Sequence, residues 1–472
     1  MELTEPAADP PRPRSRPRTR LSAALTREYS ISEGAIILMA SFFFSAMLGA
    51  VRQVLFNAQF GAGNEASAYY AAFRLPDGLF ALIAGGALSG AMIPVLVSTE
   101  REAGAREWQR LINVTLTTLL AIITLVVFAA ALATPAFVSH VLAPGFDRPT
   151  TDLTVRLTRI MLLQPLILAV GSVAVAILNS RAQFLLPALS IASHNLALIA
   201  GILATWIFPG LGILGPTLGV VAGALIQVLI LLPGLRGDHV GYRPRWDPHD
   251  ARLREVIALT IPNGLAVTVE YAGGILDTAF ASKAESAALS AIHNAWLLAA
   301  LPLSLLGVAI AQSTFPHLAA HAAARQWTRL RGTLLRSLGV ALLLVIPAIL
   351  GLVLVGRFLV RILFQHGRYD AAAGTLTYDV LAIYALGLPA YVALEVLARG
   401  MVAMKDTRTP LLTNLARLGL RGVLLVLLIQ PLGAVAIPAA FAASALFESL
   451  LLGVILLSRL RRGVAREVVS LG

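Results

Sequence analysis

The chain has 472 residues, of which 57% are hydrophobic and only 13% are charged, whereas a typical soluble domain carries about 25% charged residues. This composition excludes a water-soluble protein and indicates a membrane protein with many spans, while the absence of cysteine excludes disulfides and zinc sites with cysteine ligands. The 37 Lys and Arg residues exceed the 25 Asp and Glu residues, which in a membrane protein marks cytoplasmic loops rather than binding to nucleic acid.

The chain begins with a basic segment, residues 1–30, that is rich in proline and arginine. Five of its arginines alternate with small or turn-forming residues, and these are Arg12, Arg14, Arg16, Arg18 and Arg20. Such a segment cannot bury a core, so we expect a disordered cytoplasmic tail. Its charge would anchor the topology, and contact with anionic membrane lipids is an alternative role.

Twelve apolar stretches follow, each long enough to supply the roughly 20 residues that a helix needs to cross the hydrocarbon core. The first six are predicted at residues 32–58, 68–97, 111–134, 156–178, 186–208 and 211–235. The other six are predicted at residues 256–280, 287–316, 337–360, 376–403, 409–429 and 432–458. The predicted fold is therefore an all-α polytopic membrane protein with about twelve transmembrane helices.

Positive charges concentrate in every second loop between these spans. Segments 101–110, 236–254 and 325–336 and the end of the chain from residue 459 each hold at least three arginines. The positive-inside rule places these segments, and hence both termini, in the cytoplasm. The predicted organisation is a basic tail (1–30), a six-helix lobe (31–235), a cytoplasmic linker (236–255), a second six-helix lobe (256–460) and a cytoplasmic tail (461–472).

The two predicted lobes resemble each other in sequence. Landmark residues recur at offsets of 220, 222 and 223 positions, pairing Phe60 with Phe280, Pro94 with Pro316, and Pro187 with Pro410. Each lobe has an even number of spans, so both enter the membrane from the same side. This predicts a pseudo-two-fold axis along the membrane normal, as in transporters that rock two bundles around a central site.

The sequence contains no enzyme machinery: it has no phosphate loop of the Walker type, and its eight histidines show no metal-ligand spacing. We therefore expect a transporter without a cofactor or metal. Ionisable groups inside spans are costly in lipid and usually face a cavity or a partner. Arg52 in the first span either faces a cavity or extends toward the interface, and Arg74 and Asp77 in the second span form either an i,i+3 pair or a ligand site.

Further polar groups lie in the second predicted lobe. Glu270 and Asp277 are seven residues apart on one helix face, where they could bind a coupling cation or proton or pair with Arg52. Asn294 aligns with Arg74 in the repeat, so it is either a substrate-binding residue or a hydrogen-bonded contact between helices. Three more charges, Arg417, Arg421 and Glu448, are expected to satisfy one another or to extend toward the interface.

Several motifs, in this order and spacing, resemble the MurJ/MviN family of lipid II flippases within the multidrug/oligosaccharidyl-lipid/polysaccharide exporter superfamily. The motifs begin at Leu48-Gly-Ala-Val-Arg-Gln, Phe60-Gly-Ala-Gly, Ala72-Phe-Arg-Leu-Pro-Asp, Leu142-Ala-Pro-Gly-Phe and Lys405-Asp-Thr-Arg-Thr-Pro. The resemblance covers roughly residues 31–460. Where that family carries further charges in its cavity, this chain has Ala46, Gln53 and Ser67.

The resemblance implies a transporter of the bacterial cytoplasmic membrane. It would move a polyprenyl-pyrophosphate-linked peptidoglycan precursor to the outer leaflet by alternating access, with arginines of the cavity neutralising the phosphates. Three alternatives remain open at this point: a flippase for another polyprenyl-linked glycan, a cation-coupled exporter of amphipathic drugs, and a cell-wall scaffold that transports nothing. A test of the transport hypothesis is whether Arg52, Arg74, Glu270 and Asp277 converge on one cleft.

Overall fold

A computed structural model of the chain describes residues 27, 29–83, 86–236 and 241–471. The predicted basic tail of residues 1–30 therefore lies almost entirely outside the described residues. Every regular element in the described part of the chain is helical. The prediction of an all-α protein is confirmed.

The first half of the chain, up to the predicted linker, forms seven α-helices. They are α1 (Ile31–Phe60), α2 (Asn64–Ile83), α3 (Gly86–Phe137), α4 (Arg148–Met161), α5 (Leu163–Ser180), α6 (Leu185–Ile207) and α7 (Leu214–Arg236). A π-helical turn at Val138–Leu142 extends α3. One predicted span, 156–178, thus consists of two helices, because the chain bends at Leu162 between α4 and α5.

The second half of the chain also forms seven α-helices. They are α8 (Ala251–Ala281), α9 (Ala288–Pro302), α10 (Ala309–Ala323), α11 (Trp327–Phe364), α12 (Ala371–Ala403), α13 (Arg408–Leu432) and α14 (Ala436–Leu471). A π-helical segment, Leu303–Val308, joins α9 to α10 within the predicted span 287–316. The predicted C-terminal tail begins inside α14, which continues to Leu471.

Helix starts are set by short polar side chains that accept backbone N–H groups of the first turn. Ser30 and Glu33 form a reciprocal capping box at the start of α1. Asp147 caps α4, Asp250 caps α8 and Asp370 caps α12, each by accepting a backbone N–H two or three residues later. These caps fix where the membrane-crossing helices emerge from the loops.

Nine helical stretches within the described residues are long and apolar enough to cross a membrane. Two of them, Leu88–Leu142 and Arg408–Ala465, contain 55 and 58 residues, far more than the roughly 20 that one crossing needs. The first is interrupted at Gly104, which has φ 78°, and the second at the 3₁₀ turn Gly433–Val435. The breaks agree with two crossings in each stretch, and the count of twelve spans stays a prediction.

Each half packs mainly through its own helices. In the first half α6 lies against α1 and α7, and α5 lies against α3, whereas in the second half α12 lies against α11 and α14. Helix α8 has the most extensive contacts across the halves, since it lies against α2 and α3 of the first half as well as α13 of the second, while α9 also contacts α2. The element that follows the linker is therefore shared between the two halves.

Candidate functional site

Arg74 of α2 extends toward α8 and is held there by a side-chain hydrogen bond. Its Nε donates to the hydroxyl oxygen of Thr278 at 3.0 Å. Gly274, one turn before Thr278, leaves room for the guanidinium, because a Cβ atom at this position would lie 3.2 Å from Arg74 Nη1. The missing side chain at Gly274 thus lets a first-half arginine approach the backbone of α8.

Asp77 lies one turn after Arg74 on α2 and is half-buried. The Gln164 side chain of α5 lies near its carboxylate, and the positive charges of both Arg74 and Arg52 act on it. Pro76 lies between the two charged residues within α2. Because proline lacks a backbone N–H, α2 loses one of its helical hydrogen bonds in this region. Arg74 and Asp77 therefore form a polar site with partners from α5 and α8.

Asp277 of α8 forms a buried ion pair with Arg421 of α13, whose side chains are 12% and 6% exposed. The Arg421 guanidinium also lies over the Phe441 ring, 4.3 Å from its centroid. The sequence analysis named Arg52 as a possible partner of Asp277, and that pairing is wrong. The reason is geometric, since this side of α8 packs against α13 of the second half.

A second ion pair lies one turn before Arg421 on α13 and joins this helix to α14. Arg417 Nε lies 3.2 Å from Glu448 Oε2 of α14, and the Thr413 hydroxyl donates to the other carboxylate oxygen at 3.0 Å. The expectation that Arg417 and Glu448 satisfy each other is confirmed. Arg421 differs from that expectation because Asp277 is its partner.

Arg52 stays within the first half, between α1 and α6. Its Nη1 donates to Asn195 Oδ1 at 3.1 Å, and the Asn195 amide in turn donates to the Ser45 hydroxyl at 3.0 Å. The guanidinium therefore does not point outward into the acyl chains. Its charge acts on Asp77, which places Arg52 at the edge of the group formed by Arg74, Asp77, Asp277 and Thr278, which we call the polar centre.

Asn294 lies near the predicted outer end of the bundle and is fully buried. Gln53 of α1 donates a hydrogen bond to its Oδ1 at 2.8 Å, and nearby the Tyr70 ring stacks on His293 with 4.5 Å between the ring centroids. The structure thus places Asn294 in a contact between the halves. Its role as a substrate-binding residue stays a prediction.

Further contacts join the halves at the same end. The Ser67 hydroxyl donates to the Ser286 carbonyl at 2.7 Å, and the backbone N–H of Arg368 donates to the Ala58 carbonyl at 2.8 Å. Gly367, with φ 58°, allows the second contact, since a Cβ atom here would overlap the Ala58 carbonyl oxygen. We call these contacts, together with Gln53–Asn294, the outer seal.

The predicted site residues converge only in part. The charge of Arg74 acts on both Asp77 and Asp277, whereas that of Arg52 acts on Asp77. Glu270 is exposed two helical turns before Asp277. Sequence reasoning missed three residues that complete these contacts, Thr278, Gln164 and Asn195. Only Thr278 carried a usable signal, because it follows a charged residue within an apolar helix.

The long apolar helices, with charged groups buried among them, define a polytopic α-helical membrane protein. Solved structures share this fold: a lipid II flippase MurJ in an inward closed conformation superposes with a TM-score of 0.75 at 22% identity, covering 88% of this chain and 86% of that one. An inward-facing multidrug resistance MATE family transporter gives a TM-score of 0.74 at 14% identity, covering 89% and 95%.

The sequence comparisons identify the family. The family model described as lipid II flippase MurJ matches residues 56–470. A lipid II flippase MurJ from Burkholderia cenocepacia is 30% identical over 375 residues, covering 78% of this chain and 72% of its own. A probable lipid II flippase MurJ from Rhizobium tropici is 29% identical over 375 residues, covering 78% and 70%. The chain belongs to the MurJ lipid II flippase family, so the resemblance drawn from the motifs is confirmed.

Proposed function

We propose that this protein moves lipid II, the polyprenyl-pyrophosphate-linked peptidoglycan precursor, from the inner to the outer leaflet of the bacterial cytoplasmic membrane. Both termini would lie in the cytoplasm, and the lobes 31–235 and 256–460 would alternate around the polar centre. The observation that carries this proposal is the placement of Arg74, Asp77 and Asp277 around α8, the helix shared by the two halves.

The chemistry of the headgroup supports Arg74 as its main ligand. A pyrophosphate cannot cross hydrocarbon unless its charge is neutralised. The guanidinium has five N–H donors, and the bond to Thr278 uses the one on Nε, which leaves the four on the Nη atoms for phosphate oxygens. Arginine binds phosphate with charge-assisted, often bidentate hydrogen bonds. Asp77, whose carboxylate interacts electrostatically with Arg74, would offset the guanidinium charge while no phosphate is bound.

Two adjacent residues of α8 couple the binding of the phosphate by Arg74 to both halves of the protein. Thr278 accepts a hydrogen bond from Arg74 of the first half, while Asp277 pairs with Arg421 of the second. A headgroup that draws Arg74 toward itself would therefore pull on the helix that is anchored to the other half. Opening of the outer seal would then release the headgroup on the other side, as alternating access requires.

The cation-coupled drug exporter is the less favoured alternative. That alternative uses both Glu270 and Asp277 to bind a proton or metal cation, yet a guanidinium that does not deprotonate already pairs with the Asp277 carboxylate. A flippase for another polyprenyl-linked glycan would use the same arginine to bind the phosphates. An assay that compares lipid II with other polyprenyl-linked glycans distinguishes the two functions.

The test is translocation of a fluorescent lipid II analogue by the full-length chain in proteoliposomes. We expect Arg74→Ala to lower the initial rate at least tenfold, because hydrogen bonds to a charged group each contribute about 1.5–3 kcal/mol and about 1.4 kcal/mol is a factor of ten. Arg74→Lys should recover part of the rate. Arg331→Ala, at an exposed position of α11, is the matched control and should leave it unchanged.

Two results would contradict the proposal. One is a wild-type chain that moves a different polyprenyl-linked glycan but not lipid II, which would assign the alternative substrate. The other is an Arg74→Ala variant with the full rate, which would remove Arg74 from the headgroup site. Complementation of a strain depleted of its own flippase gives an independent readout in cells.

A further inference from the structure

The linker between the two halves is bound to α3 through its backbone. Side chains of α3 spaced four residues apart meet linker residues spaced two apart in three hydrogen bonds: Gln109 Nε2 donates to the Gly241 carbonyl at 2.8 Å, Asn113 Oδ1 accepts from the Arg243 N–H at 3.2 Å, and Thr117 Oγ1 accepts from the Arg245 N–H at 3.0 Å. Four residues of a helix rise about 6 Å, and two residues of an extended chain cover about 6.6 Å, so the two spacings match. We call residues 241–246 the strap.

The strap presents two arginine side chains whose charges are not used within the protein. Asp247, the acidic residue that follows the strap, accepts a hydrogen bond from Arg110 of α3 at 2.9 Å. Arg243 and Arg245 are exposed, and among the described residues neither guanidinium has a hydrogen-bond or ion-pair partner. Two positive charges, held at fixed places along α3 by the backbone bonds, are therefore available to a ligand.

The strap lies at the level of a membrane interface. Residues 119–137 of α3 carry no charged side chain and span about 28 Å, which is close to the roughly 30 Å of the hydrocarbon core. Thr117 and Asn113 precede this stretch by two and six residues, so they lie about 3 and 9 Å outside it at 1.5 Å per residue. Since the polar interface is about 5–8 Å thick, Arg245 lies within the interface and Arg243 at its outer edge.

The face of α3 that holds the strap is the face exposed to the lipid. Thr124 and Phe128 follow Thr117 by seven and eleven residues, close to whole numbers of helical turns, and therefore lie on the same face. Phe128 is 63% exposed and its neighbour Leu125 is 69% exposed. Apolar side chains this exposed at the depth of the hydrocarbon contact acyl chains. The strap therefore lies beside the headgroups of the surrounding bilayer, and not over the interior of the helical bundle.

We propose that the strap binds anionic phospholipids of the predicted inner leaflet. Arg243 and Arg245 bind the phosphate oxygens with charge-assisted hydrogen bonds. Tyr242 and Trp246, which are 45% and 60% exposed, lie among the headgroups as aromatic residues at membrane interfaces do. A choline headgroup would bring a like charge to the two arginines, whereas a headgroup with a net negative charge is attracted by both.

Native mass spectrometry of the purified full-length chain, titrated with dioleoyl phosphatidylglycerol or dioleoyl phosphatidylcholine, tests this proposal. Each arginine near an anionic surface contributes roughly a factor of five, so the wild-type chain should prefer phosphatidylglycerol at least tenfold. Arg243→Gln with Arg245→Gln should lose most of this preference. The matched control, Arg101→Gln with Arg106→Gln, removes the same charge from exposed positions of the predicted cytoplasmic segment 101–110 and should keep it.

A second pair of substitutions leaves the charge unchanged and releases the strap. Asn113→Leu with Thr117→Val removes the acceptors of two strap N–H groups, so the arginines are no longer held at the interface. The preference for phosphatidylglycerol should fall at least threefold. Thr124→Val, at an exposed position on the same face of α3, is the control and should have no effect.

Four outcomes would overturn the proposal. Equal affinity of the wild-type chain for the two lipids, a comparison that needs no substitution, removes the preference itself. A preference that persists without Arg243 and Arg245, or in the variant with the released strap, places the lipid elsewhere. An equal loss in the control without Arg101 and Arg106 would attribute the preference to net charge. Displacement of phosphatidylglycerol by undecaprenyl pyrophosphate, with the same loss in the first double variant, would assign the two arginines to the polyprenyl lipid instead.

Discussion

The ion pair between Asp277 and Arg421 gives the sharpest test of how the shared helix is held. Asp277→Asn leaves the guanidinium buried with no opposite charge. Breaking a buried pair by removing one partner costs about 3–5 kcal/mol. The asparagine oxygen can still accept one neutral hydrogen bond, which returns about 1 kcal/mol, and the Phe441 ring remains against the guanidinium. We expect a loss of about 2–4 kcal/mol in the free energy of unfolding.

The double variant Asp277→Asn with Arg421→Gln separates charge from packing. It removes both buried charges, so its free energy of unfolding should lie within about 1 kcal/mol of the wild-type value, as replacement of buried pairs by neutral groups is often tolerated. Unfolding in mixed micelles by titration with denaturing detergent measures all the variants on one scale. The matched control is Asp406→Asn, which breaks the pair with Arg459, whose side chain is 43% exposed. That change should cost less than about 1 kcal/mol.

An Asp277→Asn variant as stable as the wild-type chain would refute this prediction, because the ion pair would then add no more stability than a neutral hydrogen bond. The prediction also fails if the double variant is as unstable as the single one. In that case the loss would come from the shape of the side chains rather than from the uncompensated charge.

Three further changes follow from the geometry. Gly274→Ala brings a methyl group to 3.2 Å from the Arg74 Nη1 atom, and translocation of the lipid II analogue should fall several-fold at unchanged expression. Gly367→Ala forces a left-handed conformation and a clash with the Ala58 carbonyl oxygen; it should lower the free energy of unfolding by at least about 1–2 kcal/mol, as measured by detergent titration. Although partial burial opposes it, hydrogen bonding to Thr409 and Arg459 lowers the pKa of Asp406 to about 2. Its stabilisation, less than about 1 kcal/mol once solvent screening is included, should be complete above pH 4 and disappear between pH 4 and 2. Comparing wild-type and Asp406→Asn unfolding across that range checks the sign.

Much of the architecture could be predicted from the sequence because it depends on local properties. An apolar stretch of sufficient length prefers the membrane wherever it lies in the chain, and polar caps such as Ser30 and Asp250 start helices through bonds to their own first turn. The ordered motifs also indicated the family. Charges inside spans were correctly expected to find partners, as Arg417 and Glu448 do.

Only the tertiary structure decided which of those partners meet. Asp277 pairs with Arg421, 144 residues away, rather than with Arg52, and its neighbour Thr278 binds an arginine of the first half. Asn294, the repeat counterpart of Arg74, accepts a hydrogen bond from Gln53 in the outer seal. A charge inside an apolar span predicts that a partner exists, because the cost of burying the charge depends only on its immediate surroundings. The identity of the partner depends on which helix faces touch, and packing between distant segments sets those contacts.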